Sequence, residues 1–265
     1  MTTETDNAGT GSGLFSLAGR LALVTGSSRG IGLTLAGGLA REGARVVVHG
    51  RDQATLDAAR QKIVNETGAE VFTARFDLTD AAAVDAGITR VEAEAGPIGI
   101  LVNNAGIQKR GTFVDFSLAD WNDLVATNLT SAFLVGQRVA RGMVDRGAGK
   151  IINIGSVQSQ LGRPGIAPYA ATKGGIAMLT KGMCADLGPS GVQVNALAPG
   201  YFATELTKAL VDDEEFSAWV RTRTPAGRWG NTDDLVGTLV FLASGASDFV
   251  NGQIIYVDGG MTAVV

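Results

Sequence analysis

The chain has 265 residues, 45% hydrophobic and 18% charged, with 37 glycines, which is ample for a packed core and excludes a disordered chain. A formal charge of -4 gives no electrostatic basis for binding nucleic acid. One cysteine, Cys184, and one histidine, His49, exclude an internal disulfide and argue against a zinc site or a Ser-His triad.

Residues 1–13 are polar, acidic and glycine-rich and read as a flexible tail. They lack the basic start and apolar centre of a signal peptide, and no later apolar run has the length of a membrane span. A cytoplasmic protein without a membrane partner is expected. Leu21 to Val24 reads as a buried strand, followed by Thr25-Gly-Ser-Ser-Arg-Gly-Ile-Gly32 and a helix to about Glu42. Strand, glycine-rich turn and helix in that order suit a dinucleotide: glycines 26, 30 and 32 allow a tight turn and a close approach to a diphosphate, which the helix N-terminus then faces. Ser28, Arg29 and Ile31 fall in the same turn.

Arg45 to His49 is the second strand. A site for NAD usually carries a carboxylate at this strand end for the ribose hydroxyls. Here the residues are Gly50-Arg51. With no carboxylate to repel a 2′-phosphate, and with Arg29 and Arg51 both able to pair with one, the site reads as NADP(H), and NAD(H) stays open as the weaker alternative. A helix over 52–67, a strand Val71 to Phe76 ending at Asp77-Leu78, and a helix carrying Val84, Ile88, Val91 and Ala95 on one face continue the alternation. Strand Ile100 to Val102 runs into Asn103-Asn-Ala-Gly106, small and amide residues that let backbone lie against a flat ligand.

Ser117-Leu-Ala-Asp120 reads as a helix start, and that helix carries Asn128 and reaches about Arg146. Lys150 to Ile154 is strand five, with Ser156 just past its end. Tyr169 opens the next helix, with Ile176, Leu179, Met183 and Leu187 as its apolar face. Lys173 is four residues beyond Tyr169, one turn on and on the same face. A cation so close is expected to lower the phenol's pKa from its usual ~10 and make an acid/base pair. Strand Val192 to Ala198 ends in Pro199-Gly200. The pattern breaks over 201–228, too long for a connector and read as a substrate-loop insertion. A helix from Asp233 to Ala243 and a strand Ile254 to Val257 close the chain. The expected fold is α/β: a single Rossmann-type doubly wound domain over 14–265, with a seven-stranded parallel sheet and helices on both faces.

These motifs, in this order from about Phe15 to the C-terminus, resemble the short-chain dehydrogenase/reductase family. The resemblance implies that Tyr169 is the acid/base, that Lys173 lowers its pKa and holds the nicotinamide ribose, that Ser156 holds the substrate oxygen, and that Asn128 supports a water-linked proton path. It also implies cofactor contacts from Asp77, Leu78, Asn104, Ala105, Gly106, Pro199 and Gly200, the strand order 3-2-1-4-5-6-7, and a homotetramer. Within the family, the runs Asn104 to Arg110, Ala198 to Glu205, Arg223 to Gly230 and Ala246 to Gly252 are similar to members acting on polyhydroxy keto acids, which implies 5-keto-D-gluconate and D-gluconate. Such a substrate needs a cation for its carboxylate and polar groups for its alcohols. Lys109 and Arg110 are expected at the cleft mouth, with Gln108, Gln158 and Tyr201 as polar neighbours. Two rivals stand beside this reading: a 3-ketoacyl-thioester reductase, kept open by Arg138, Arg141 and Arg146, and a non-catalytic NADP(H)-binding redox sensor.

Overall fold

The structure, a computed structural model, describes residues 13–265 apart from the Leu206 side chain. The tail expected over 1–13 lies, but for Gly13, outside the described residues. Seven parallel strands form one sheet: β1 (Leu21–Val24), β2 (Arg45–Gly50), β3 (Val71–Arg75), β4 (Ile98–Asn103), β5 (Gly149–Ile154), β6 (Val192–Pro199) and β7 (Ile254–Val257), in the order β3-β2-β1-β4-β5-β6-β7. The helices are α1 (Gly30–Arg41), α2 (Gln53–Thr67), α3 (Ala81–Ala95), α4 (Leu118–Val125), α5 (Ser131–Arg146), α6 (Ala167–Leu187), α7 (Lys208–Val211), α8 (Glu214–Arg223) and α9 (Val236–Ala243).

Two cores result, because alternate residues of a strand point to opposite faces. Ala22 and Val24 of β1 pack with Leu35 and Leu39 of α1 and Leu239 and Leu242 of α9. Leu21 and Leu23 pack instead with Ile88 and Val91 of α3 and Val135, Val139 and Met143 of α5. Local signals set the helix ends. Asp52 and Asp80 cap α2 and α3 by accepting first-turn amides, from Thr55 and from Ala82 and Ala83, and Gly68 ends α2 with φ +70°. All seven strands are parallel, so the turns after β1, β4, β5 and β6 open at the same end of the sheet, and the strand order reverses between β1 and β4. That is where doubly wound proteins bind ligands.

Three expectations change in detail. The single helix expected over about 117–146 is α4 and α5 joined by a π-helical turn, Ala126–Thr130, with Asn128 inside it. The stretch 201–228 is not bare loop but contains a short 3-10 turn, α7 and α8. In α6, the expected face of Leu179, Met183 and Leu187 is only half-buried, and Thr172, Lys173, Ile176, Ala177 and Thr180 are buried instead. The polar residues of the site hold the inward positions of α6, and apolar periodicity could not show this. No helix among the described residues is long and apolar enough to cross a membrane.

Candidate active site

The nucleotide end is built on the turn after β1. Gly26 and Gly30 have φ +62° and +57°, a region that disfavours side chains. A Cβ on Gly26 would stand 2.9 Å from Ala105 Cα, and one on Gly32 would stand 2.5 Å from both Gly26 O and Asn104 Nδ2. Gly30 by contrast faces open space. No side chain caps the first turn of α1, where Gly30, Ile31 and Gly32 lie, because Arg29 at the cap position gives it no hydrogen bond. Open room and uncapped amides fit a diphosphate.

Internal bonds hold this turn in place. Thr25 Oγ1 accepts from the amides of Asn104 (3.0 Å) and Ala105 (3.1 Å), and Asn104 Nδ2 donates to Thr25 O (2.9 Å) and Gly26 O (3.1 Å). Asn104 therefore braces the glycine turn. Buried His49 accepts the Gly26 amide on Nδ1 (3.2 Å) and donates from Nε2 to Phe76 O (3.1 Å). Burial lowers its pKa from 6.5 to about 4. Sequence reasoning missed the roles of Thr25 and His49; the threonine beside the first glycine was the available signal, and nothing local marked the histidine.

At the adenosine end, Arg29 and Arg51 are exposed and make no ion pair among the described residues, and Ser28 lies half-buried beside them. Asp52, the carboxylate next to Arg51 in sequence, caps α2. Asp77 Oδ1 accepts from the amide and hydroxyl of Thr79 (2.8 and 2.7 Å), which lowers its pKa and keeps it ionised, while Leu78 is buried. Gly200 meets a separate demand, since a Cβ there would stand 2.8 Å from Asp258 Cα, and its amide donates to Val257 O at 3.0 Å. Pro199 is the last residue of β6.

At the other end of the cleft, Lys173 Nζ donates to Ile154 O (2.7 Å) and lies 5.8 Å from the centre of the Tyr169 ring. The helical spacing thus does bring the pair together. The expected fall in the phenol's pKa does not follow. Burial pushes Tyr169 up to about 12, against the pull of the neighbouring Ser156 hydroxyl, and burial pushes Lys173 down to about 8. Desolvation is the largest cause for both groups. Ser156 Oγ donates to Gln158 Oε1 (2.7 Å), and the Gln158 side chain also hydrogen-bonds Tyr201, whose pKa burial raises. Asn128 accepts the Ile107 amide on Oδ1 (2.7 Å) and donates from Nδ2 to Ile107 O (2.9 Å) and Thr172 Oγ1 (3.3 Å). It ties the loop after Gly106 to α6 and makes no direct contact with Lys173.

Around Tyr201 stand Phe216 (5.7 Å between ring centres), Trp219 (5.7 Å) and Trp229 (5.8 Å), all edge-on to it. Lys109 leaves the expected cleft role, because its ammonium pairs with Asp120 and Asp123. Arg110 is exposed and bears electrostatically on Tyr201, as does Arg163. Gln108 Oε1 is buried without a hydrogen-bond partner among the described residues.

The fold agrees with what known proteins show. A family profile described as enoyl-(acyl carrier protein) reductase matches residues 26–262. The chain belongs to the short-chain dehydrogenase/reductase family. Over 249 residues it is 60% identical to gluconate 5-dehydrogenase of Gluconobacter oxydans, covering 94% of this chain and 97% of that protein. It is 52% identical over 252 residues to 5-keto-D-gluconate 5-reductase of Escherichia coli K12, covering 95% and 99%. Its fold superposes with a TM-score of 0.93 on the crystal structure of a gluconate 5-dehydrogenase from Burkholderia cenocepacia in complex with NADP and tartrate, which is 56% identical, with 95% and 98% of the two chains covered.

Proposed function

We propose that this protein is an NADP(H)-dependent oxidoreductase that interconverts a keto group and a secondary alcohol on a sugar acid, namely 5-keto-D-gluconate and D-gluconate. The observation that carries the reading is Tyr169 beside Ser156 and Lys173 on the sheet edge that also holds the glycine turn. Gly26, Ser28, Arg29, Gly30, Ile31 and Gly32 hold the diphosphate end, with Arg29 and Arg51 toward a 2′-phosphate and Asp77, Leu78, Ala105, Gly106, Pro199 and Gly200 along the rest. Bound there, the cofactor supplies the hydride.

The protein's part is the proton and the position. In reduction the Tyr169 phenol donates its proton to the forming alkoxide, and the Ser156 hydroxyl, which donates to Gln158 Oε1 in the free enzyme, turns its one proton to the same substrate oxygen. The phenol is protonated at neutral pH, the form that reduction uses, and oxidation, which needs the phenolate, gains as pH rises. Lys173, pinned to Ile154 O, stands under the phenol, and Asn128 keeps the Ile107 loop and α6 in register. The segment 201–228 closes over the substrate end.

Two of the three arginines that kept a carrier-protein substrate open are engaged elsewhere. Arg138 pairs with Asp85 and Glu92, and Arg146 donates to Ile98 O. A homotetramer in the cytoplasm completes the proposal; exposed Phe133 and Val144 on α5 are apolar surface that contact between copies would cover. The test is NADPH consumption with 5-keto-D-gluconate and with acetoacetyl thioesters, for the wild type and Tyr169→Phe. The acid is the better substrate, and the variant binds NADPH yet loses roughly 100-fold or more in kcat. Preference for the thioester, or normal turnover in the variant, refutes the reading.

A further inference from the structure

Among the described residues two arginines hold a buried nitrogen without a hydrogen-bond partner, Arg163 at Nε and Arg223 at Nη1; Arg223 donates from Nη2 to Val264 O, whereas Arg163 has no such bond and stands beside the residues of the cleft. Arg163 lies in the loop between the turn carrying Ser156 and Gln158 and the helix carrying Tyr169. Its Nε is buried with no hydrogen-bond partner among the described residues, and no carboxylate pairs with it there. Its guanidinium stacks on the Phe216 ring, 5.2 Å from the ring centre, and Phe216 in turn packs on Tyr201. Stacking fixes the plane of the guanidinium and leaves its edge free to donate. A polar donor withdrawn from water without a partner is costly, and an acceptor that arrives with the substrate removes that cost. The other cations nearby are occupied: Lys109 by Asp120 and Asp123, Lys208 by Asp212, and Arg228 by Asp234. Arg110 is free of ion pairs but exposed, where water already solvates it.

We infer that Arg163 is a specificity-determining residue that receives the carboxylate of the sugar acid, with its fork held flat by Phe216 of α8. This rests on the function proposed above. The line of contacts fits it: Ser156 and Tyr169 take the keto oxygen, Gln158 and Tyr201 follow, and the aromatic group with Arg163 lies beyond. A chain with its keto group at one end and its carboxylate near the other spans such a row. Gln108, whose Oε1 is also buried without a partner, is then free to accept from a substrate hydroxyl. Because Phe216 belongs to α8, the carboxylate also anchors the 201–228 segment through the arginine.

The test compares the acid with the ketohexose that carries CH2OH in place of the carboxylate. In Arg163→Met, the ratio of kcat/KM for 5-keto-D-gluconate to that for the ketohexose falls by about 10- to 100-fold, mainly through the KM of the acid. Arg163→Lys, which keeps the charge and loses the fork, recovers part of the loss. The inhibition constant of D-gluconate against the NADPH-loaded enzyme rises in parallel. An unchanged ratio, with both substrates falling together, shows that Arg163 is only a strut for α8 and overturns the inference, as does an unchanged inhibition constant. A wild type inactive on the acid overturns the proposed function as well; an active wild type with an unchanged ratio in the variant overturns this inference alone.

Discussion

The two ends of the cleft treat their polar groups in opposite ways. At the nucleotide end the polar side chains that brace the glycine turn and the adenosine pocket have internal partners: Thr25 holds two amides, Asn104 two carbonyls, His49 an amide and a carbonyl, and Asp77 the Thr79 amide and hydroxyl, while Arg29 and Arg51 stay exposed for the phosphate. At the substrate end Gln108 and Arg163 hold buried polar atoms with no partner among the described residues, and the aromatic residues around Tyr201 come from a segment of short helices. One end is a finished mould for a ligand that is always the same. The other keeps groups in reserve for a ligand whose hydroxyls and carboxylate complete them. Preorganised donors bind a fixed shape at little reorganisation cost, whereas unsatisfied donors reject any ligand that fails to pair with them.

The largest effect should come from filling the mould. Gly32→Ala puts a methyl 2.5 Å from Gly26 O and Asn104 Nδ2, so the turn must shift, and NADPH affinity measured by calorimetry is expected to drop roughly 100-fold. Affinity within a few fold of wild type would mean the turn is more compliant than its bonding suggests. A smaller change should appear in acid. His49 is neutral when folded, with its pKa lowered to about 4 from 6.5, so its stabilisation is complete above pH 6.5 and is lost as pH falls toward 4. By pH 5 the loss should reach about 2 kcal/mol in urea unfolding, and His49→Gln should flatten that limb. The carboxylates with lowered pKa values act below about 3.8 and leave this window clear. Smallest of the three, Arg29→Ala and Arg51→Ala should each reduce the preference for NADPH over NADH by about 10-fold. No change in that ratio would remove both arginines from phosphate recognition.

Much of the fold was legible because its signals are local. Alternating apolar strands and helices, Asp52 and Asp80 at helix starts, and glycines at turns are each read within a few residues, and they define a doubly wound sheet without reference to distant contacts. The site was legible where its chemistry follows helical or strand-end spacing: Tyr169 with Lys173, Ser156 past β5, and the glycines past β1. It was illegible where a role depends on partners far along the chain. Arg163 gains its meaning from Phe216, and His49 from Phe76 and Gly26. Lys109 loses its expected role to Asp120 and Asp123, more than a turn of helix away in sequence.

By itself the sequence determined which segments become strands and helices, which edge of the sheet carries the site, and that a phenol and an amine share one helical face. Only the tertiary structure decided which cations are engaged by carboxylates, and that burial raises the phenol's pKa to about 12 and lowers the lysine's to about 8. The physical reason is range: backbone preference and helical spacing act over a few residues, whereas desolvation and ion pairing depend on whatever the fold brings within a few ångströms.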